Sequence, residues 1–83
     1  MSYRIPTPGT PLTAVELRLL GWIADGQTGP EIAEKHGYAY STVKTHLYRI
    51  YRKLEARNAA HAVHIAHQRG LLGTTVRRNG DAA

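Results

Sequence analysis

In the sequence S-T-V-K-T-H-L-Y-R-I-Y-R-K-L, residues 41–54, aliphatic and polar residues each recur at the spacing of an α-helix. At about 100° per residue, four aliphatic residues fall within an arc of roughly 60°. They are Val43, Leu47, Ile50 and Leu54. A second arc of about 100° holds polar or cationic side chains at every position. These are Ser41, Lys44, Thr45, Tyr48 and Arg52. The pattern predicts an amphipathic helix that buries its aliphatic side.

The polar side of this predicted helix is more basic than an ordinary solvated face. Residues 41–57 hold five Lys or Arg and one Glu, a local charge of +4 in a chain of net charge +5. Solvated helix faces usually mix acidic with basic side chains. Cations interspersed with hydroxyls suit the phosphates and grooves of a duplex, and a sequence pI near 10.0 also favours a polyanionic partner.

Length and composition exclude several classes of protein. The 83 residues make one small domain with a modest core. There is no cysteine, which excludes a disulfide framework and a thiolate zinc site. No stretch of about 18 apolar residues and no apolar leader is present. We therefore expect a soluble cytoplasmic protein, associated with the nucleoid and not with a membrane. An acidic membrane surface is the competing polyanion, but it would need the apolar residues that the core requires.

Capping signals predict two helices before the basic one. Thr13 and Glu16 stand three residues apart, as do Thr28 and Glu31, and each pair matches a capping box. A glycine follows each predicted helix, where it can adopt the left-handed conformation. Only residues 38–40 then separate the second helix from the third. A short helix followed so closely by a basic amphipathic helix forms a helix-turn-helix pattern.

A fourth helix is predicted after Asn58, a favourable N-cap, and up to Gly70. Its apolar arc of roughly 160° is wider than contact with one core requires. This arc contains Ala59, Ala62, Val63, Ile65 and Ala66. The predicted fold class is all-α, with one four-helix domain over residues 12–72. Residues 1–11 are predicted to be a flexible arm rich in proline, and residues 73–83 a disordered basic tail.

Several separate motifs resemble those of the LuxR-type (LuxR/GerE, NarL/FixJ-like) helix-turn-helix DNA-binding domain. They are L-T-x-x-E at residues 12–16, A-D-G at 24–26, P-E-I-A-E at 30–34, T-V-K-T-H-L at 42–47, K-L at 53–54 and N-x-x-x-A-V at 58–63. T-V-K-x-H is the most specific of them. The resemblance covers about residues 12–72. It implies that the third helix, about residues 40–54, enters the major groove and that the fourth helix pairs two subunits.

The resemblance also implies roles for individual residues. Base edges would be contacted by Lys44, Thr45 and Tyr48. Phosphates would be contacted by Ser41, Thr42 and Lys53. From their charge and position we add Arg49, Arg52 and Arg57 as phosphate contacts. The subunit interface is expected at His61, Ala62 and Ile65.

The chain departs from the family pattern at four points. Ala39 stands where Ser or Thr usually caps the recognition helix, which costs on the order of 1 kcal/mol unless the flanking tyrosines compensate by packing. His36 replaces a core leucine, so the edge of the core is expected to be repacked or wet. Tyr48 replaces a polar or cationic residue, which predicts an altered base preference. No sensor domain precedes Leu12, so we expect a stand-alone regulator.

Two other binding functions fit parts of the sequence. A domain like region four of a sigma factor also uses a T-V-K helix, but His46 and the fourth helix argue against it. A protein-interaction module that binds a regulator or RNA polymerase is the second alternative. Such a module would have no need of cations that reach phosphates beside polar groups that reach bases.

Neither catalysis nor metal binding is supported by the sequence. His61, His64 and His67 recur every three residues, but no cysteine or nearby carboxylate completes a metal site. Ser41 and His46 lie about 140° apart on the helix, and no third group orients either of them. We therefore expect no enzyme activity, no metal and no cofactor.

The function predicted from the sequence is sequence-specific binding of double-stranded DNA by a stand-alone transcriptional regulator. It would act as a homodimer, and RNA polymerase is a further candidate partner.

Overall fold

The computed structural model describes residues 8–72, and these residues form four α-helices. Helix α1 spans Ala14–Ala24, α2 spans Gly29–His36, α3 spans Tyr40–Leu54 and α4 spans Ala59–Gln68. The all-α prediction is confirmed, with each helix within about two residues of its expected bounds. None of the helices within residues 8–72 is both long and apolar enough to cross a bilayer.

Both predicted capping boxes form. At α1, the Glu16 amide donates to the Thr13 hydroxyl at 3.1 Å, and the Thr13 amide donates to Glu16 Oε1 at 2.9 Å. The corresponding distances at α2, between Thr28 and Glu31, are 3.3 and 2.8 Å. Each box satisfies two amides that have no partner within the helix. Helix α2 ends at Gly37 with φ +76°, a left-handed conformation that glycine adopts without a steric penalty.

The last two helices begin differently from each other. Ala39 makes no side-chain hydrogen bond to the start of α3, because its methyl group has no acceptor atom. The α4 cap forms, because Asn58 Oδ1 accepts a hydrogen bond from the His61 amide at 2.9 Å. Within residues 8–72, α1, α2 and α4 therefore have side-chain caps, while α3 has none.

All four helices contribute to one apolar core. The buried apolar residues are Leu19, Leu20, Ile32, Val43, Ile50, Leu54, Ala62, Ala66 and Leu72. Helix α3 packs against each of the other three helices. Its predicted aliphatic side is the side that is buried, although Leu47 is only half-buried. This packing leaves the polar side of α3 facing outward.

The edge of the core near His36 is closed by aromatic rings. The imidazole of His36 is exposed and stacks on Trp22, with ring centroids 3.5 Å apart and planes 3° apart. Its Nε2 lies 3.3 Å from Gln27 Oε1, within hydrogen-bond distance. The Tyr38 ring is tilted against Trp22, with ring centroids 6.4 Å apart and planes 56° apart. The expected repacking therefore takes the form of a surface stack.

The two ends of the described chain both return to the helices. The Gly9 amide donates to the Lys53 carbonyl at 2.9 Å, so the last residues of the predicted arm lie against the end of α3. Of the two leucines after α4, Leu72 is buried and Leu71 is exposed. The remainder of the predicted arm, residues 1–7, and the predicted tail, residues 73–83, lie outside the described residues.

Candidate nucleic-acid interface

Helix α3 presents a continuous polar surface on the side away from the core. We call it the α3 polar surface, and it consists of Ser41, Lys44, Thr45, Tyr48 and Arg52. All five residues are exposed, and so is Thr42 beside them. The fold thus makes available the three residues predicted to contact bases, together with three of those predicted to contact phosphates. Those contacts themselves remain predictions.

The start of this surface contains a cation–aromatic contact. Lys44 Nζ lies 5.2 Å from the centre of the Tyr40 ring, within the range of a cation–π interaction. Tyr40 is the first residue of α3 and is 48% exposed. Its ring also packs close to Gly29 at the start of α2. From the sequence alone, Tyr40 is expected only to pack beside Ala39, and nothing in the pattern connects its ring with Lys44.

A groove of about 450 Å³ opens beside the other end of the surface. It is lined by Pro8, Tyr48, Tyr51, Arg52, Glu55, Ala56 and Arg57. Burial raises the pKa of Tyr51 above its ordinary value, so its hydroxyl stays protonated at neutral pH. The groove therefore combines phenols and guanidinium groups at the place where α3 meets the loop to α4.

The structure contradicts the predicted phosphate contact of Lys53. Its side chain is 4% exposed, and Nζ donates to Glu16 Oε1 at 2.6 Å and to the Pro11 carbonyl at 3.2 Å. An ammonium in this position would have to abandon a buried carboxylate to reach solvent, which is strongly unfavourable. Lys53 instead ties α3 to α1 and to the residues before α1.

Arg49 is shared between the core edge and the surface. Its Nε lies 3.5 Å from Glu16 Oε2, and its side chain is 31% exposed. The guanidinium group has five donor hydrogens and can contact more than one acceptor. Its phosphate contact remains a prediction, as does that of Arg57, which is exposed.

Glu16 is the acidic centre of this arrangement. Burial by itself would raise the pKa of Glu16. Hydrogen bonds from Lys53 and the Thr13 amide, together with the charges of Lys53 and Arg49, outweigh burial and hold the pKa of Glu16 below 4.5. The carboxylate is therefore ionised at neutral pH. From the sequence alone, Glu16 is expected only to cap α1. The missed signal was a lysine on the side of α3 that faces α1.

The predicted subunit interface on α4 requires one correction. Ala62 is fully buried in the core of its own chain and has no surface to offer to a partner. His61 and Ile65 are half-buried, and the His61 ring accepts a hydrogen bond from the Arg57 amide at 3.1 Å. A shallow apolar groove lies nearby, lined by Ile23, Ala24, Ala59, Ala60 and Val63. We refer to it below as the α1–α4 groove.

The histidines of α4 were considered as metal ligands. Within residues 8–72, no three His, Cys, Asp or Glu side chains converge in a way that could hold a metal ion. The ring nitrogen of His61 that accepts from the backbone is already engaged.

The amino-acid sequence of this chain matches a known protein family. Residues 10–66 match the family model described as bacterial regulatory proteins, luxR family. The chain is similar to a probable transcriptional regulatory protein NarL of Mycobacterium tuberculosis, with 46% identity over 61 residues. It is 39% identical over 59 residues to the HTH-type transcriptional regulator MalT of Vibrio cholerae. These matches cover 74% and 71% of this chain, but 28% and 6% of the relatives.

A solved structure shows the same arrangement of helices. It is the crystal structure of the response regulator ChrA, from a heme-sensing two component system, with a TM-score of 0.72 and 35% identity. The match covers 78% of this chain and 32% of ChrA, so the chain spans less than a third of that protein. The helix order, the α3 polar surface and the family match agree. The chain belongs to the luxR family of bacterial regulatory proteins and has the helix-turn-helix domain of its transcriptional regulators.

Proposed function

We propose that this chain binds double-stranded DNA sequence-specifically, with α3 in the major groove, and that it does so as a homodimer. The observation that carries the proposal is the α3 polar surface, which lies opposite a buried aliphatic side. A helix can enter the major groove of B-form DNA without distorting it, and the base edges there carry a distinct pattern for each base pair.

Three exposed residues are suited to contact base edges. Lys44 can donate to the O6 and N7 atoms of guanine, and Thr45 can donate, accept or place its methyl group against thymine. The phenol of Tyr48, which is 43% exposed, offers one donor and one acceptor beside a flat apolar ring. Tyr48 is therefore proposed to give this chain a different base preference from relatives with a smaller polar side chain at this position.

The surrounding residues are suited to hold the phosphates. Ser41 and Thr42 lie in the first turn of α3, where helix amides favour an anion. Arg52 and Arg57 extend the cationic surface toward the end of the helix, with Arg49 at its margin. Three arginines that each neutralise one phosphate would give a slope of about −3 in a plot of log affinity against log salt for each subunit.

Homodimer formation is proposed at the α1–α4 groove. Its residues are small or aliphatic, and Ala60 is exposed at its rim. Small side chains allow two helices to approach closely. A two-fold dimer would place its recognition helices in successive major grooves about 34 Å apart, on a partly palindromic site.

The experiment that tests the proposed function is selection of bound sequences from random duplex DNA, followed by footprinting on the selected site. We expect an enriched motif with two related half-sites. Failure to enrich any motif would contradict sequence-specific binding and would favour the protein-interaction alternative.

A further inference from the structure

The first turn of α3 is held by an aromatic ring. Ala39 supplies no capping hydrogen bond, and the next residue, Tyr40, packs its ring against the start of α2. A Cβ atom built on Gly29 would lie 3.2 Å from Tyr40 Cε1, which is tighter than most real contacts of that kind. The ring therefore occupies a defined position between α2 and α3, and glycine at position 29 makes room for it.

The same ring holds the ammonium group of Lys44. Tyr40 and Lys44 are four residues apart, so their side chains lie one above the other on the helix. Lys44 Nζ is 5.2 Å from the ring centre. Lysine otherwise has a flexible four-carbon stem, and the ring restricts where its charge resides. The charge is thereby placed at the start of the α3 polar surface.

We propose that Tyr40 is a positioning residue for DNA recognition, because its ring holds Lys44 in place before DNA binds. The inference rests on the proposed function, in which Lys44 contacts a base. A base contact depends on direction more strongly than a phosphate contact does, since phosphate attraction is long-ranged. Restricting Lys44 beforehand lowers the entropy lost on forming the base contact. Tyr40 therefore affects discrimination between sequences more than general affinity for DNA.

A double-mutant cycle on the full chain tests this role. The variants are Tyr40→Leu, Lys44→Ala and the two combined, with Tyr40→Phe as the conservative control. Each is measured for its Kd on the selected site and on a random duplex of the same length. The ratio of the two Kd values gives the discrimination. Circular dichroism confirms that each variant is folded.

We expect Tyr40→Leu to lower the discrimination ratio by about two- to fivefold, the effect of an exposed cation–π contact. Tyr40→Phe retains the ring and should restore the ratio to within about twofold of the unsubstituted chain. In the Lys44→Ala background, Tyr40→Leu should change the ratio no further. An equal loss in both backgrounds, an unchanged ratio, or a Phe variant as impaired as the Leu variant would overturn the inference.

A measurement without DNA separates this inference from the proposed function. Protons held over an aromatic ring are shifted upfield in the NMR spectrum, so the ε-methylene signal of Lys44 should be shifted in the unsubstituted chain. The shift should persist in Tyr40→Phe and disappear in Tyr40→Leu. Its absence from the unsubstituted chain would overturn the inference alone. A chain that shows the shift but selects no DNA motif would overturn the proposed function, and the inference with it.

Gly29 offers a second way to move the ring. In Gly29→Ala the new methyl group would lie 3.2 Å from Tyr40 Cε1, so the ring must move by a few tenths of an ångström. We expect a smaller loss of discrimination than in Tyr40→Leu, together with a weaker NMR shift of Lys44. Gly21→Ala is the matched control, because a Cβ atom there meets nothing within 4 Å. A Gly29 variant with full discrimination and a displaced Lys44 signal would contradict the proposed role of the ring.

Discussion

Glu16 illustrates how one side chain in this domain serves several purposes. Its Oε1 atom accepts from the Thr13 amide and from Lys53, and its Oε2 atom faces Arg49. The carboxylate thus caps α1 and at the same time joins α1 to α3. Because Lys53 also donates to the Pro11 carbonyl, the entrance to the domain is connected to the same pair. This buried ion pair therefore joins α3 to α1 inside the domain.

Glu16→Gln should therefore destabilise the domain far more than the same change at Glu31. The Glu16 variant leaves the Lys53 ammonium buried without its counter-ion, which costs about 3 kcal/mol or more. Glu31 occupies the equivalent position in the capping box of α2 but is exposed, so Glu31→Gln should cost less than about 1 kcal/mol. Urea unfolding followed by circular dichroism measures both. Equal costs would show that the ion pair contributes nothing beyond the cap.

The same carboxylate predicts how stability depends on pH. The folded-state pKa of Glu16 is lowered, so its contribution is complete above the ordinary pKa of 4.5 and is lost as pH falls through the lowered value. The difference in unfolding free energy between the unsubstituted chain and Glu16→Gln should stay constant above about pH 5 and shrink at lower pH. Urea titrations from pH 3 to 7 test this. A difference that grew on acidification would contradict the direction of the pKa shift.

Arg52 should act on affinity and leave sequence preference intact. Its guanidinium is exposed on the α3 polar surface, one turn beyond Tyr48, where we propose that it meets a phosphate. Arg52→Ala should weaken binding to the selected site and to random DNA by the same factor, and reduce the salt slope by about 1. Lys44→Ala is the contrasting variant, because it should reduce the ratio of the two affinities. Loss of discrimination in Arg52→Ala would assign it to a base instead.

At the scale of single elements, the sequence predicted the helices well because their boundaries depend on local chemistry. A capping box involves residues three apart, and the boxes at Thr13 and Thr28 form as expected. The separation of α3 into an aliphatic and a polar side also depends only on helical period. Both features survive folding: at Glu16, the tertiary hydrogen bond from Lys53 shares Oε1 with the Thr13 amide and does not displace it.

The predictions that failed concerned contacts between elements. The family resemblance predicts a phosphate contact for Lys53, yet its partner Glu16 lies 37 residues earlier on α1. Ala62 is expected at the subunit interface because the apolar arc of α4 is wider than contact with one core requires. The width of the arc does not show which of its residues face the core of the same chain. Helical periodicity reports the width of an apolar face, while the packing of α1 and α3 decides which part of it is covered.

The start of α3 provides a test at the scale of one helix. Ala39 has φ −70° and ψ 144°, close to the extended conformation of the caps Thr13 and Thr28. Ala39→Ser should therefore place a hydroxyl in position to accept from the first turn, raising the unfolding free energy by about 1 kcal/mol. Thr28→Ala is the converse change and should lower it by a similar amount. An unchanged unfolding free energy in Ala39→Ser would show that the new hydroxyl makes no stabilising hydrogen bond to the first turn.

At the scale of the whole molecule, one side of the bundle is cationic while the α1–α4 groove is apolar. Residues 41–57, which include nearly all of α3, carry +4 of the net charge of +5, and the groove is formed by Ile23 and Ala24 of α1 with the first turns of α4. Two chains joined at such a groove would share a single DNA site through two separate α3 surfaces. Doubling the number of phosphate contacts would then offset a weak association between the subunits.

Ala60→Arg tests the proposed homodimer without disturbing the core. Ala60 is exposed at the rim of the α1–α4 groove, so the arginine can remain in solvent in a single chain but would oppose its symmetry mate in a dimer. Glu34→Gln is the control, because it changes the net charge by the same +1 at an exposed position on α2. Sedimentation on a duplex with two half-sites should give two chains per DNA for the control and one for Ala60→Arg. Two bound chains in both variants would place the subunit contact elsewhere, and one bound chain without any substitution would refute the dimer.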